Sequence, residues 1–227
     1  MILARSLICR TAGVALAVLC VLPALRAQEA LPSPATALHR LKDGNARFVA
    51  DKPAKKDLGA KRRAELAKGQ RPFAVVLTCS DSRVAPELIF DQGLGDLFVL
   101  RVAGNVTDPV VLGSIEYAVD HLKTPLVVVL GHEKCGAVAA AVEGGHPEGN
   151  LGKLIRHVHV GDNKGDAEAA VRTNVMYQAG QLTRESTVLK DFVSSKRVRL
   201  AAGVYSLKTG EVRWLDLAEK GNGKSAK

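Results

Sequence analysis

Several things are scarce in this chain of 227 residues, and each scarcity excludes a class of protein. Cysteine occurs only four times, too seldom for a small scaffold held by disulfides. The 21 glycines and nine prolines follow no short period, which excludes collagen-like and coiled-coil chains. Aromatic residues make up 4% of the chain and do not interleave with its basic stretches, so the stacking surface of a single-strand nucleic-acid binder is missing. The longest uncharged run near the N-terminus, Thr11–Leu25, falls short of the ~20 apolar residues that a spanning helix needs and is broken by Pro23. There is no internal repeat and no low-complexity linker. What is present is ordinary globular composition, 47% hydrophobic and 24% charged, with a formal charge of +9.

Part of that charge belongs to the first segment. Arg5 and Arg10 precede the uncharged run, and Leu25-Arg26-Ala27 ends in a small residue. A basic start, a short apolar stretch and a small residue at the cut describe a secretory leader, which places the protein in the periplasm or outside the cell. The arginines are not paired as a twin-arginine signal requires, and Leu19 before Cys20 argues against a lipoprotein signal. Cleavage near Ala27 removes three arginines and two cysteines, leaving 200 residues at +6, with Cys79 and Cys135 the only thiols. The expected organisation is a signal peptide over 1–27, one catalytic domain over 28–219, and a disordered basic tail over 220–227. No membrane association is expected after leader removal. Lys52–Lys56, Lys61–Arg63 and the lysines of the tail read as solvated faces, so no nucleic acid is implied.

The body of the chain alternates strand and helix patterns. Phe73–Thr78, Leu97–Val102 and Leu126–Leu130 are short, β-branched and nearly continuous, as strands covered on both faces are. Val198–Tyr205 and Val212–Leu217 form a late pair around Lys208-Thr209-Gly210, a hairpin signal. Helical patterns cover Asp108–Leu122, Gly136–Val142, Leu151–Val160 and Ala167–Phe192. The fold class is therefore α/β, a mainly parallel central sheet flanked by helices, with a C-terminal β-hairpin. Ser33-Pro34 opens an N-terminal helical arm, weakened at Gly44, and Asp57–Lys68 reads as a second, mostly polar helix. The arm is too small to be a core and packs on something else, a partner subunit being one candidate.

In open α/β sheets ligands sit beyond the carboxyl ends of strands. Two polar clusters stand there: Cys79-Ser80-Asp81-Ser82-Arg83 and Gly131-His132-Glu133-Lys134-Cys135-Gly136. Cys79, His132 and Cys135 offer two thiolates and an imidazole, three ligands with a fourth position open, the arrangement of a catalytic zinc. An exported protein with two cysteines would alternatively join them as a disulfide, which leaves His132 and the charged cluster unexplained. A phosphatase-type cysteine needs an arginine six residues on, and position 85 is alanine. Asp81 and Arg83 are spaced to pair bidentately. Held by Arg83, Asp81 accepts a hydrogen bond from a water on the metal; released, it would take the fourth coordination position itself. Two thiolates donate more charge than imidazoles, so activity is expected at neutral to alkaline pH.

CSDSR and GHEKCGA, in this order and separation, resemble the signatures of the β-class carbonic anhydrases, and the similarity runs from about Gly69 to the last strands. The resemblance implies one zinc ion per chain on Cys79, His132 and Cys135. It also implies reversible hydration of CO2 to bicarbonate and a proton through zinc-bound hydroxide. It makes Asp81 and Arg83 the dyad beside the fourth position and Gln70 a substrate-orienting amide. Phe98, Ala103 and Tyr117, with Gly136 at the second signature, would line a narrow substrate pocket partly completed by a neighbouring subunit, in a homodimer or higher oligomer. Gly104 and Asn105 match a backbone loop of the family. Val102 stands where many members have Asn, and Ala103 where a larger aliphatic is common. An effector site built on an N-terminal tryptophan is not supported, since the only Trp is Trp214. The competing readings are a CS2 or COS hydrolase on the same fold and a non-catalytic bicarbonate-binding protein. The remaining histidines, His39, His121, His146, His157 and His159, read as surface residues.

Overall fold

The computed structural model describes residues 30–144, 147–163 and 165–217. The expected leader and basic tail lie outside them. Five strands form one sheet: β1 (Ala74–Thr78), β2 (Leu97–Arg101), β3 (Leu126–His132), β4 (Arg199–Tyr205) and β5 (Val212–Leu215). Their spatial order is β2-β1-β3-β4-β5, parallel throughout except for the β4–β5 hairpin. The expected architecture is thus the observed one.

Every residue of β1 and β3 is buried, and alternate residues serve opposite faces. Val75, Leu77, Val127 and Val129 belong to a core shared with α4 (Pro109–Asp120), α7 (Ala167–Glu185) and α8 (Thr187–Ser194). Ala74, Val76, Leu126, Val128 and Leu130 face a second core with α1 (Pro34–Val49) and the short α3 (Pro86–Ile89). Two-sided burial is why these strands read as continuous apolar runs instead of alternating ones. The remaining helices are α2 (Ala60–Leu66), α5 (Gly136–Glu143) and α6 (Gly149–Ile155).

Four expectations are revised. The arm α1 packs on its own sheet through Ala37, Leu38 and Leu41, and buried Asn45 binds Ile89 O, Gly210 O and the Val212 amide. Gly44 is not a weak point: a Cβ there would lie 1.8 Å from the Phe90 carbonyl oxygen, so glycine is what lets α1 approach. The single helix expected over Ala167–Phe192 is two, because Ser186 is extended (φ −120°) and caps α8, accepting from the Leu189 amide while donating to Glu116. The pattern over Leu151–Val160 ends as helix at Ile155, and Arg156–Val160 is the non-helical segment that follows.

Candidate metal centre

β1 and β3 are neighbours in parallel register, Thr78 beside Leu130, so the residues that follow them meet at one edge of the sheet. Cys79 leaves β1, His132 is the last residue of β3, and Cys135 is the N-cap of α5. All three are buried, His132 completely. Their ligand atoms lie within 4.8 Å of one another, the one such cluster among the described residues.

The two sulfurs are 4.0 Å apart, about twice a disulfide bond, and both cysteines are free. That separation is close to the ~3.8 Å expected between two thiolates on a tetrahedral zinc with Zn–S of ~2.3 Å. His132 is oriented for the same role. Its Nδ1 lies 2.8 Å from the Glu133 carbonyl, which can only accept, so Nδ1 carries the proton and Nε2 the lone pair. That Nε2 is buried and has no hydrogen-bond partner among the described residues. A buried acceptor left unmatched is costly, and a metal ion satisfies it.

Backbone amides support the sulfurs. The Gly104 amide lies 3.3 Å from Cys79 Sγ, and the amide of Asp81 also points to it. The hydrogen bond from Cys135, reinforced by these amides, outweighs burial and lowers the Cys79 thiol. Cys135 moves upward because its proton is held against the Cys79 sulfur in a buried place; the Ala137 and Val138 amides at the start of α5 oppose this. A zinc ion that takes both sulfurs as thiolates must displace the protons they carry.

Asp81 and Arg83 form the expected fork: Arg83 Nε donates to Oδ1 at 2.9 Å and an Nη to Oδ2 at 2.6 Å, while the Arg83 amide adds a third bond to Oδ1. Arg83 keeps the carboxyl well below the usual carboxylate range, outweighing the opposing effect of burial. Asp81 is thus an ionised acceptor whose Oδ2 lies 3.8 Å from His132 Nε2, at the rim of the metal position.

Other expected site residues are placed as follows. Ala103 and Gly104 lie in a short 3-10 turn (Ala103–Asn105), against Cys79 through the Gly104 amide. Gly136 begins α5, and a Cβ there would meet nothing within 4 Å. Phe98 on the edge strand β2 stands beside half-exposed Tyr117 of α4, ring centroids 6.3 Å apart. Gln70 is exposed and precedes β1, whereas Cys79 follows it; a five-residue strand of ~16 Å separates the two ends. The structure does not bring Gln70 to its own chain's metal position.

Two supporting residues had no assigned role in the sequence reading. Arg101, at the end of β2, donates to three successive carbonyls, of Cys79 (3.3 Å), Ser80 (3.2 Å) and Asp81 (2.7 Å), and so clamps the ligand loop. Glu133 is anchored by its amide to Tyr205 O and by its carboxylate to Ser206 and Arg213, which fixes the carbonyl that orients His132. An arginine at a strand end beside the CSDSR loop is the only signal that would have pointed to the first.

The fold and site together define a class: an α/β protein with a three-ligand Cys-His-Cys candidate metal site at the carboxyl edge of a parallel sheet. A model of the carbonic anhydrase family matches residues 74–212. The carbonic anhydrase of Mycolicibacterium smegmatis is 44% identical over 192 residues, covering 79% of this chain and 92% of that one. The chain belongs to the carbonic anhydrase family. Among solved structures, the β-carbonic anhydrase CafA of Aspergillus fumigatus superposes with a TM-score of 0.62 at 31% identity, covering 82% of this chain and 91% of that one. The Coccomyxa β-carbonic anhydrase, solved with acetazolamide, gives 0.61 at 28% identity over 75% of this chain and 82% of that one.

Proposed function

We propose that this protein is a zinc-dependent carbonic anhydrase of the β class, catalysing the reversible hydration of CO2 to bicarbonate and a proton. The observation that carries this reading is the buried, unprotonated and partnerless Nε2 of His132, facing two free cysteines. When bound there, zinc supplies a Lewis acid that makes hydroxide available near neutral pH.

The protein's own residues do the rest. Cys79, His132 and Cys135 would hold the ion through two sulfurs and an imidazole nitrogen. Arg83 keeps Asp81 ionised and occupied, so that its free lone pairs accept a hydrogen bond at the open position instead of filling it. Gly136 leaves space at the mouth and Ala103 gives an apolar surface in the turn beside Cys79, whereas Phe98 pairs with Val75 near the start of β1 and stands with Tyr117 on the Gln70 side of the sheet. Gln70 lies at the wrong end of β1 for its own site, and the Phe98–Tyr117 wall is open to solvent. Both features support a homodimer, or a larger assembly, in which a second copy brings Gln70, Phe98 and Tyr117 to the site. Export by the N-terminal leader, with work in the periplasm or beyond, belongs to the same proposal; no helix among the described residues is long and apolar enough to cross a membrane.

Stopped-flow CO2 hydration tests it. The zinc-loaded protein should be active, the chelated protein inactive until zinc is restored, and Cys79→Ser inactive. Full activity without metal, or turnover of COS or CS2 with none of CO2, would overturn it.

A further inference from the structure

Away from the sulfurs, a cavity of about 130 Å³ opens between Thr107, the segment that follows α6 and one flank of α7. The chemistry proposed above makes no use of it. Its lining includes Arg156, His157 and His159 and, among the described residues, not one carboxylate. Arg156 forms no ion pair among the described residues. His159 is held flat against Tyr177 of α7, ring centroids 4.0 Å apart and planes within 17°. Gln181, also in the lining, has its amide oxygen engaged by Arg184, which brings a second guanidinium to that residue and leaves the Gln181 nitrogen free to donate.

The floor is built and rigid. Gln178 is 1% exposed, and both ends of its amide are committed. Its oxygen accepts from the Thr107 amide and hydroxyl at 2.9 and 2.8 Å, while its nitrogen donates to His157 O and Asn174 Oδ1 at 2.7 and 3.2 Å. Asn174 in turn accepts from the His159 amide and donates to Gly104 O. The backbone that carries both histidines is therefore fixed from within. What the cavity offers is a set of donors, a guanidinium, two imidazoles and a primary amide, around a volume that holds several waters or one small anion.

We propose that this cavity is a binding site for a small oxyanion, of the size and charge of phosphate or bicarbonate, separate from the metal centre. Arg156 supplies the charge, and the stacked His159 supplies a donor of fixed direction. The absence of a carboxylate from the lining removes the competitor that an anion would otherwise have to displace.

The test uses the zinc-loaded full chain with its metal position saturated by acetazolamide. Inorganic phosphate is titrated at constant ionic strength, followed by calorimetry and by the NMR signals of the histidine rings. One phosphate per chain should bind saturably and shift the His157 and His159 resonances. Arg156→Gln should weaken binding at least tenfold while leaving CO2 hydration unchanged, and His159→Gln should weaken it too. A parallel bicarbonate titration separates the sources: tighter bicarbonate identifies the reaction's own product as the occupant, tighter phosphate an oxyanion from outside the reaction. Absence of saturation with both anions, or equal affinity in Arg156→Gln, His159→Gln and the parent, would overturn the proposal.

Discussion

Replacing Arg101 by alanine isolates the contribution of the ligand-loop clamp. The substitution removes three hydrogen bonds to consecutive carbonyls, one short at 2.7 Å and two long at 3.2 and 3.3 Å. A charged donor on a neutral carbonyl is worth ~1.5 kcal/mol when well formed and much less when long, and water replaces part of it at an exposed residue. A net ~2 kcal/mol is the reasonable sum, spent mainly on holding residues 79–83 in the geometry that binds metal. If ordering that loop becomes part of the work of zinc binding, affinity falls by roughly 30-fold. Chelator competition reads this directly. The absorption bands of the cobalt-substituted protein report ligand geometry independently, and Arg101→Lys, which keeps one donor, should fall between the two. The chain should otherwise stay folded, since Arg101 is on an edge strand and contributes little to the core. If Arg101→Ala lowers thermal stability yet leaves zinc affinity and the cobalt spectrum unchanged, the clamp is structural only and the reasoning fails.

Three further outcomes follow from the same geometry. Arg83→Ala frees Asp81 to reach the metal, so CO2 hydration should fall at least tenfold, with recovery in the Asp81→Ala, Arg83→Ala double variant; equal loss in both would refute the holding role. Gly44→Ala puts a methyl 1.8 Å from the Phe90 carbonyl and should cost about 3 kcal/mol in urea unfolding, because α1 must move off its seat. Asp91 is buried, which raises its pKa, but Lys56, the Ala54 amide and Arg47 outweigh burial and hold it at about 2 against an ordinary 3.8. Its folded value is depressed, so this stabilisation is complete above pH ~4 and lost as pH falls towards 2, on the order of 2 kcal/mol. Asp91→Asn should flatten the acid limb of the stability curve.

The sheet and the Cys-His-Cys candidate site were legible in the sequence for one physical reason: both depend on local composition. A buried parallel strand needs β-branched residues on both faces, and a thiolate–imidazole centre needs Cys and His at strand ends. Features that depend on distant backbone were not legible. Arg101 binds carbonyls, which every residue has, so its targets leave no trace in the chain. Gly44 resembles a helix weakness until Phe90 is placed beside it. Ser186 is one polar residue inside a continuing helical pattern, and only its bonds to Leu189 and Glu116 show the break. Gln70 has the spacing of a site residue, yet spacing does not show that it stands at the opposite end of β1 from Cys79.

The central claim is that Cys79, His132 and Cys135 hold one zinc ion with one position left open. X-ray absorption at the zinc edge of the fully loaded protein, with metal counted per chain, tests it most directly. One zinc per chain, with two sulfurs at ~2.3 Å and lighter N/O neighbours at ~2.0 Å completing four-coordination, is the predicted result. A shell of four sulfurs, a shell with none, or a stably folded protein that takes up no zinc would contradict it.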